Sequence, residues 1–254
     1  MRKYNLKTES VKHPYKLTHQ DFKKKVLSSK IDLRSNFPPC YDQGNLGSCT
    51  ANALLGAYQY KDKNFEGSRL FLYYNERKRE GDIPDDGGAM ISTGIQSLLN
   101  EGVCAEARWP YVIDNFALQP TNECYTDALK HRSAHSYQVS TDERSIKASL
   151  NNGLPVIVGI LVYSSFESMT VARTGIVPMP TKRDVLLGGH VVLVVGYDDS
   201  KKLWIVRNSW GTTWGDKGYF YLPYNYLLTQ SQLASDMWVI DKLLTLPVSK
   251  SVVL

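Results

Sequence analysis

The chain has 254 residues, 43% of them hydrophobic, enough for a substantial core and for one or two domains. No run approaches 18 apolar residues, so a transmembrane helix is not expected. The net charge of +5 is unevenly spread: residues 1–30 carry nine Lys or Arg against Glu9 and Asp21, a net of +7, and the remainder carries −2. This basic segment lacks an apolar h-region and does not read as a secretory signal. It also lacks a motif or aromatic interleaving that would make nucleic acid an expected partner.

After the basic arm, the first element with chemical content is the stretch 43–58, where Gln-Gly-Asn-Leu-Gly-Ser leads into Cys49 and an apolar-periodic run. Ala51, Leu54, Leu55 and Tyr58 recur at helical spacing and predict an amphipathic helix with Cys49 in its first turn, Gly47 permitting the entry and Ser48 as cap. Free N–H groups and the helix dipole there stabilise a thiolate. Residues 68–77 and 90–99 read as two further helices, and 155–162 as a strand.

Residues 188–197 read as a buried strand and 203–210 as a second, joined by the polar break 198–202. His190 and Asn208 are equidistant from the middle of that break, so an unbulged antiparallel hairpin sets them opposite each other on one face. A lone buried histidine or a turn asparagine is more often structural; Cys49 upstream changes the weight of the pair.

These motifs, with the Gly87-Gly88 pair and the run from Asn208 to Tyr219, resemble those of papain-like cysteine peptidases of the cathepsin group over roughly residues 31 to 240. His190 follows Cys49 by 141 residues and Asn208 by 159, against the family's usual 130 to 150 or so. Two positions depart from the pattern: Leu46 stands where the family usually has a disulfide cysteine, and Thr50 where it usually has an aromatic residue.

The resemblance implies an α+β, two-lobed fold: a helical lobe over about 41–129, an antiparallel barrel-like β lobe over about 130–254, and the active-site cleft between them. It implies Cys49 as nucleophile, His190 as its imidazolium partner, Asn208 orienting the imidazole, and Gln43 donating to the oxyanion. Trp210 would shield the His190–Asn208 hydrogen bond. Gly47, Gly87, Gly88, Gly188 and Gly189 would line the substrate path. Met90 and Gly188 would bound an apolar pocket for the side chain two positions before the scissile bond, with a floor from 234–236 including Asp236. Peptides or proteins are the implied substrates.

Residues 1–30 precede the matching region and are read as a basic arm or short pro-segment, with Tyr4, Tyr15 and Phe22 available to hold it on the cleft as an intramolecular inhibitor; a solvated tail is the plainer alternative. Of the remaining cysteines, Cys40, Cys104 and Cys124, the pairing Cys104–Cys124 is the first choice among three. No Cys/His metal spacing surrounds His13, His19, His131 or His135, so no metal or cofactor is expected. A transglutaminase-type acyltransferase shares the cysteine-then-histidine order, but normally ends in aspartate rather than Asn208. A catalytically silent binding protein would usually have lost Cys49 or His190.

Overall fold

The computed structural model describes residues 2–8, 16–23 and 26–244; Tyr15 and His13 lie outside them. In chain order the elements are β1 (Lys16–Leu17), β2 (Lys30–Asp32), α1 (Cys49–Lys61), α2 (Arg69–Glu80), α3 (Ile91–Asn100), α4 (Asn122–Ala128) and β3 (Ser133–Val139). There follow α5 (Glu143–Asn151), β4 (Val156–Tyr163), α6 (Met169–Thr174), β5 (Leu186–Asp198), β6 (Leu203–Arg207), β7 (Tyr219–Pro223) and β8 (Ala234–Leu243).

Among the described residues the strands form one sheet in the order β1-β3-β8-β4-β5-β6-β7, with β2 added onto β5. All pairings are antiparallel except β1 on β3. The architecture is α+β as expected, but the sheet does not close into a barrel: β1 and β7 remain its two ends. Helices take the place of closure. The side chains of α5 and α6 cover one face together with Phe166, Trp214 and Phe220.

The long apolar run in β5 is explained by burial on both faces. Val191, Leu193 and Val195 join the core shared with α1, α2 and α3, while Val192 and Val194 join the core on the opposite face. The two cores are thus the two sides of one sheet.

Helix α1 is not amphipathic. Every residue from Cys49 to Gln59 is buried, because the helix lies between the sheet on one side and α2 and α3 on the other. Ala51, Ala53, Gly56 and Ala57 keep it thin enough to fit. Ser68 caps α2 by accepting from the Phe71 N–H, and Gly81, at φ 72°, ends it.

The basic segment divides into two parts. The described residues of 16–32 are anchored to the sheet: β1 extends β3, β2 pairs with β5, and Phe22 is buried in the core on the α5 side. The Asn151 side chain fastens this stretch by donating to Val26 O at 3.0 Å and accepting from the Ser28 N–H at 3.3 Å. Residues 2–8 go elsewhere and run beside the start of β5.

Candidate active site

Cys49 begins α1 and points into the space between that helix and β5, where the Val191 backbone N–H hydrogen-bonds its sulfur. Ser48 does not cap the helix with its side chain. Its hydroxyl lies 2.5 Å from the Tyr111 hydroxyl and accepts from Asn52 Nδ2 at 3.0 Å, leaving the first-turn N–H groups of α1 to face the cysteine.

His190 sits in β5 directly before Val191, and its Nε2 is 2.8 Å from Asn208 Oδ1. Oδ1 also accepts the Ser209 N–H at 2.9 Å, which fixes the amide so that oxygen faces the ring and Nε2 carries the proton. His190 Nδ1 makes no hydrogen bond among the described residues. Trp210 stacks on the imidazole with ring centres 5.0 Å apart and planes 25° apart.

The hairpin reaches this contact by a different register from the one expected. Leu193 pairs with Arg207, and a bulge lies between Val194 and Gly196, so His190 and Asn208 are not cross-strand partners. Asn208 lies just past the end of β6, with its N–H on Gly218 O, and reaches the imidazole diagonally.

Gln43 is 2% exposed and is held at both ends of its amide: Oε1 accepts from Ser209 Oγ at 2.5 Å and Nε2 donates to Leu46 O at 2.9 Å. One Nε2 hydrogen remains for another acceptor. The loop that carries Gly47 is tied by the Asp86 carboxylate, which accepts from the Gly47 N–H at 2.9 Å and from the Tyr73 hydroxyl at 2.5 Å. Thr50 donates to the fully buried Glu76 at 2.7 Å, so a polar pair fills the place of the aromatic residue the family pattern leads one to expect.

Residues 2–8 cover all of this. Cys49 is 1% exposed and His190 fully buried. The arm runs parallel to the start of β5, with an Asn5–Gly189 bridge, Leu6 N–H on Gly189 O at 3.2 Å and Lys7 N–H on Ala89 O at 3.4 Å. Its backbone fits because glycines line the path. A Cβ on Gly188 would stand 2.5 Å from Tyr4 O, and one on Gly189 2.8 Å from Leu6 Cβ; one on Gly88, at φ 74°, would collide with Asn5 O. Gly87 packs against the Asp82 carboxylate.

Tyr4 meets both His190 and Trp210 edge-on, each at 6.2 Å between ring centres. Leu6 forms part of the wall of a cavity of about 270 Å³, together with Gly159, Gly188, Gly189, Ala234 and Ser235 among others. Met90 is not in that lining; its N–H caps onto Glu80 Oε1 at the start of α3. Asp236 accepts hydrogen bonds from Gln138 Nε2 and Trp238 Nε1.

The arm is held by charge as well as shape. Arg2 pairs with Glu167 at 2.6 Å, Lys3 with Asp86 at 2.6 Å, and Lys7 with Glu80 and Asp82 at 2.9 and 2.8 Å. Burial pushes the Cys49 thiol up to about 12 and the His190 imidazole down to about 4. For the imidazole the hydrogen bond to Asn208 works upward, and the Arg2 cation adds to the fall. With the arm in place the neutral thiol and neutral imidazole are the favoured forms.

The sequence reading missed the acidic residues that receive the arm. Asp85-Asp86 directly before the glycine pair was the one visible signal, and a loop carboxylate is ordinarily just solvated. Glu80 and Asp82 belong to the same acidic stretch, 80–86, whereas Glu167 lies on a separate element and carried no local pattern. The four cysteines are free and buried, so the Cys104–Cys124 bridge is not formed.

Cys49 at the start of α1 and the His190–Asn208 hydrogen bond thus border the same strand, β5, on this α+β framework. The chain belongs to the papain family of cysteine proteases, whose family model matches residues 27–238. It is 40% identical over 247 residues to a peptidase C1-like protein of Acanthamoeba polyphaga mimivirus, covering 90% of this chain and 79% of that one. It resembles the crystal structure of xylellain, a cysteine protease from Xylella fastidiosa, with a TM-score of 0.81 and 38% identity over 97% of this chain and 98% of that one. Digestive procathepsin L 3 of the Tenebrio molitor larval midgut shares the fold at a TM-score of 0.68 and 22% identity, over 89% and 74% of the two chains. The cysteine proteinases 3 and 1 of Entamoeba histolytica are longer, and the chain spans 63% and 58% of their lengths.

Proposed function

We propose that the chain hydrolyses peptide bonds through Cys49 and His190, and that residues 2–8 hold it inactive until they leave the cleft. The observation that carries the catalytic reading is the imidazole itself: Nε2 is committed to Asn208 and Nδ1 is uncommitted on a residue adjoining the Cys49 sulfur contact. Once the arm leaves and water enters, a proton passes from Cys49 Sγ to His190 Nδ1, giving a thiolate and an imidazolium. The thiolate attacks the peptide carbonyl, and the oxyanion accepts from the Cys49 N–H and the remaining Gln43 Nε2 hydrogen. Nδ1–H is then delivered to the leaving amine, and the same nitrogen deprotonates the water that cleaves the thioester.

Substrate is expected to follow the path the arm now takes, along Gly47, Gly87-Gly88 and Gly188-Gly189, with Trp210 over the imidazole. A side chain in the place of Leu6 supplies the apolar contact two positions before the scissile bond. The inhibitory part of the basic segment is residues 2–8 rather than all of 1–30, since β1 and β2 belong to the sheet. Proform relatives of the same fold, such as the Tenebrio procathepsin, are in keeping with a blocked state.

The deciding experiment incubates the full chain and its Arg2→Ala/Tyr4→Ala/Leu6→Ala variant with a fluorogenic peptide carrying Leu before the cleavage residue, with and without an amine acceptor. Hydrolysis by the variant, faster than by the parent and unaltered by amine, supports the reading. An amine-dependent product would favour acyl transfer, and inertness of both would leave a binding protein.

A further inference from the structure

The end of the arm nearest Trp210 records what that part of the cleft binds. The Arg2 guanidinium lies 4.1 Å over the Trp210 ring and is 2.6 Å from Glu167 Oε2, while the Tyr4 hydroxyl donates to Glu167 Oε1. Flat stacking on an indole plus a carboxylate at the guanidinium edge is a recognition site for a cationic side chain. Both halves are rigid. Glu167 ends the 3-10 turn Ser164–Glu167, whose Phe166 is 1% exposed and packs edge-on to Trp210 at 5.6 Å. Trp210 is braced on its other sides by His190 at 5.0 Å and Trp214 at 4.7 Å.

The order along the arm fixes where this site lies. Tyr4 sits over His190, Leu6 borders the glycine-lined cavity on one side, and Arg2 occupies Trp210 and Glu167 on the other. If the Leu6 cavity receives the acyl side of a substrate, the Arg2 site receives the leaving-amine side. We infer that Glu167 and Trp210 form a cation clamp that selects peptides carrying Arg or Lys shortly beyond the scissile bond. The inference rests on the peptidase reading above and adds a substrate class to it: an apolar side chain before the bond, a basic one after it. The same clamp, filled by the chain's own Arg2, is then part of the inhibitory contact, and basic substrates compete with the arm directly.

The test uses the Arg2→Ala/Tyr4→Ala/Leu6→Ala chain and internally quenched peptides that share Leu before the cleavage residue and carry Arg, Gln or Glu at the first or second position beyond the bond. The expected ratio of kcat/KM for Arg over Gln is about tenfold at one of those positions. Adding Glu167→Gln should bring that ratio close to one, and Glu167→Lys should make the Glu peptide the preferred one. A ratio near one in the parent, or an unchanged ratio in Glu167→Gln, overturns the clamp.

A second readout does not depend on turnover. A fluorescent peptide of residues 2–8 is titrated onto the same chain carrying Cys49→Ala, with Arg2→Ala in the peptide and Glu167→Gln in the chain forming a double-mutant cycle. Coupling of about fivefold is expected, and additive losses reject the site. Coupling without hydrolysis of any peptide would keep the cation site and discard the peptidase reading.

Discussion

His190 Nε2 and Asn208 Oδ1 are 2.8 Å apart although the two residues are not partners in the β5–β6 ladder. The bulge after Val194 and the position of Asn208 past the end of β6 produce the contact, and the Ser209 N–H keeps the amide oxygen turned to the ring. Replacing Asn208 by Ala leaves a buried imidazole N–H without its acceptor, at about 1–3 kcal/mol. Peptide hydrolysis by the arm-released chain should fall by about tenfold to a hundredfold in kcat/KM, with KM less affected than kcat. An unchanged rate would show that Asn208 only fills space.

Cys49→Ala should abolish hydrolysis and leave the thermal midpoint close to the parent's, since a methyl in place of the thiol loses little packing at the helix start. Cys40→Ala should stay active: Arg207 loses a long 3.4 Å contact to that sulfur but keeps Pro38 O, Pro39 O and the Tyr219 hydroxyl. Mass spectrometry after a thiol-directed epoxide should find the label on Cys49. Label on Cys40, Cys104 or Cys124 instead would reassign the nucleophile.

Arm release should change how Cys49 reactivity depends on pH. With its pKa at about 12 under the arm, only about one thiol in 10⁵ is ionised at pH 7, and alkylation should be slow and climb through the alkaline range. In the Arg2→Ala/Tyr4→Ala/Leu6→Ala chain the thiolate–imidazolium pair should give a plateau from mildly acidic to neutral pH. Passing from a neutral pair to an ion pair takes up no net proton, so opening itself should vary little with pH across that plateau. The partly exposed Lys3 and Lys7 pairs are worth about 0–1 kcal/mol each and are screened by salt, so alkylation of the full chain should rise a few-fold between 50 and 500 mM salt, on the order expected for such contacts. Identical iodoacetamide rates for the two chains at every pH would dissociate the arm from the site.

Glu76 supplies a test of the packing behind Cys49. Burial raises its pKa well above the ordinary 4.5, with the Thr50 hydroxyl opposing, so the folded protein keeps the carboxyl protonated where the unfolded chain has released it. The folded state therefore binds more protons above pH 4.5, and stability is lost as pH rises toward the folded pKa. Glu76→Gln, which is neutral and similar in shape, should remove that loss: its thermal midpoint should exceed the parent's at pH 8 and drop less between pH 5 and pH 8. Parallel pH profiles would mean that the carboxyl is neutral at neither pH or that the unfolded chain protects it equally.

The parts of the proposed site stand out in the chain because each is carried by a local signal. A cysteine opening an apolar-periodic run, a histidine in a strand, and an asparagine beyond a turn stay recognisable whatever surrounds them, and the ends of α2, α3 and β4 fell within a few residues of the expected ones. What tertiary structure decided was everything set by long-range packing. Periodicity in α1 suggested one buried face, but a helix enclosed by sheet and helices is buried all round. The two-residue repeat of a hairpin does not reveal a bulge, and apolar strands do not reveal whether a sheet closes or is capped by helices. Above all, the +7 segment looked uniform in composition, yet Phe22 and β1 make its second part structural, while Glu167 and the sequence-distant stretch that holds Glu80, Asp82 and Asp86 converge on Arg2, Lys3 and Lys7. Charge in a sequence gives attraction without a destination; the destination exists only once separate elements have been folded side by side.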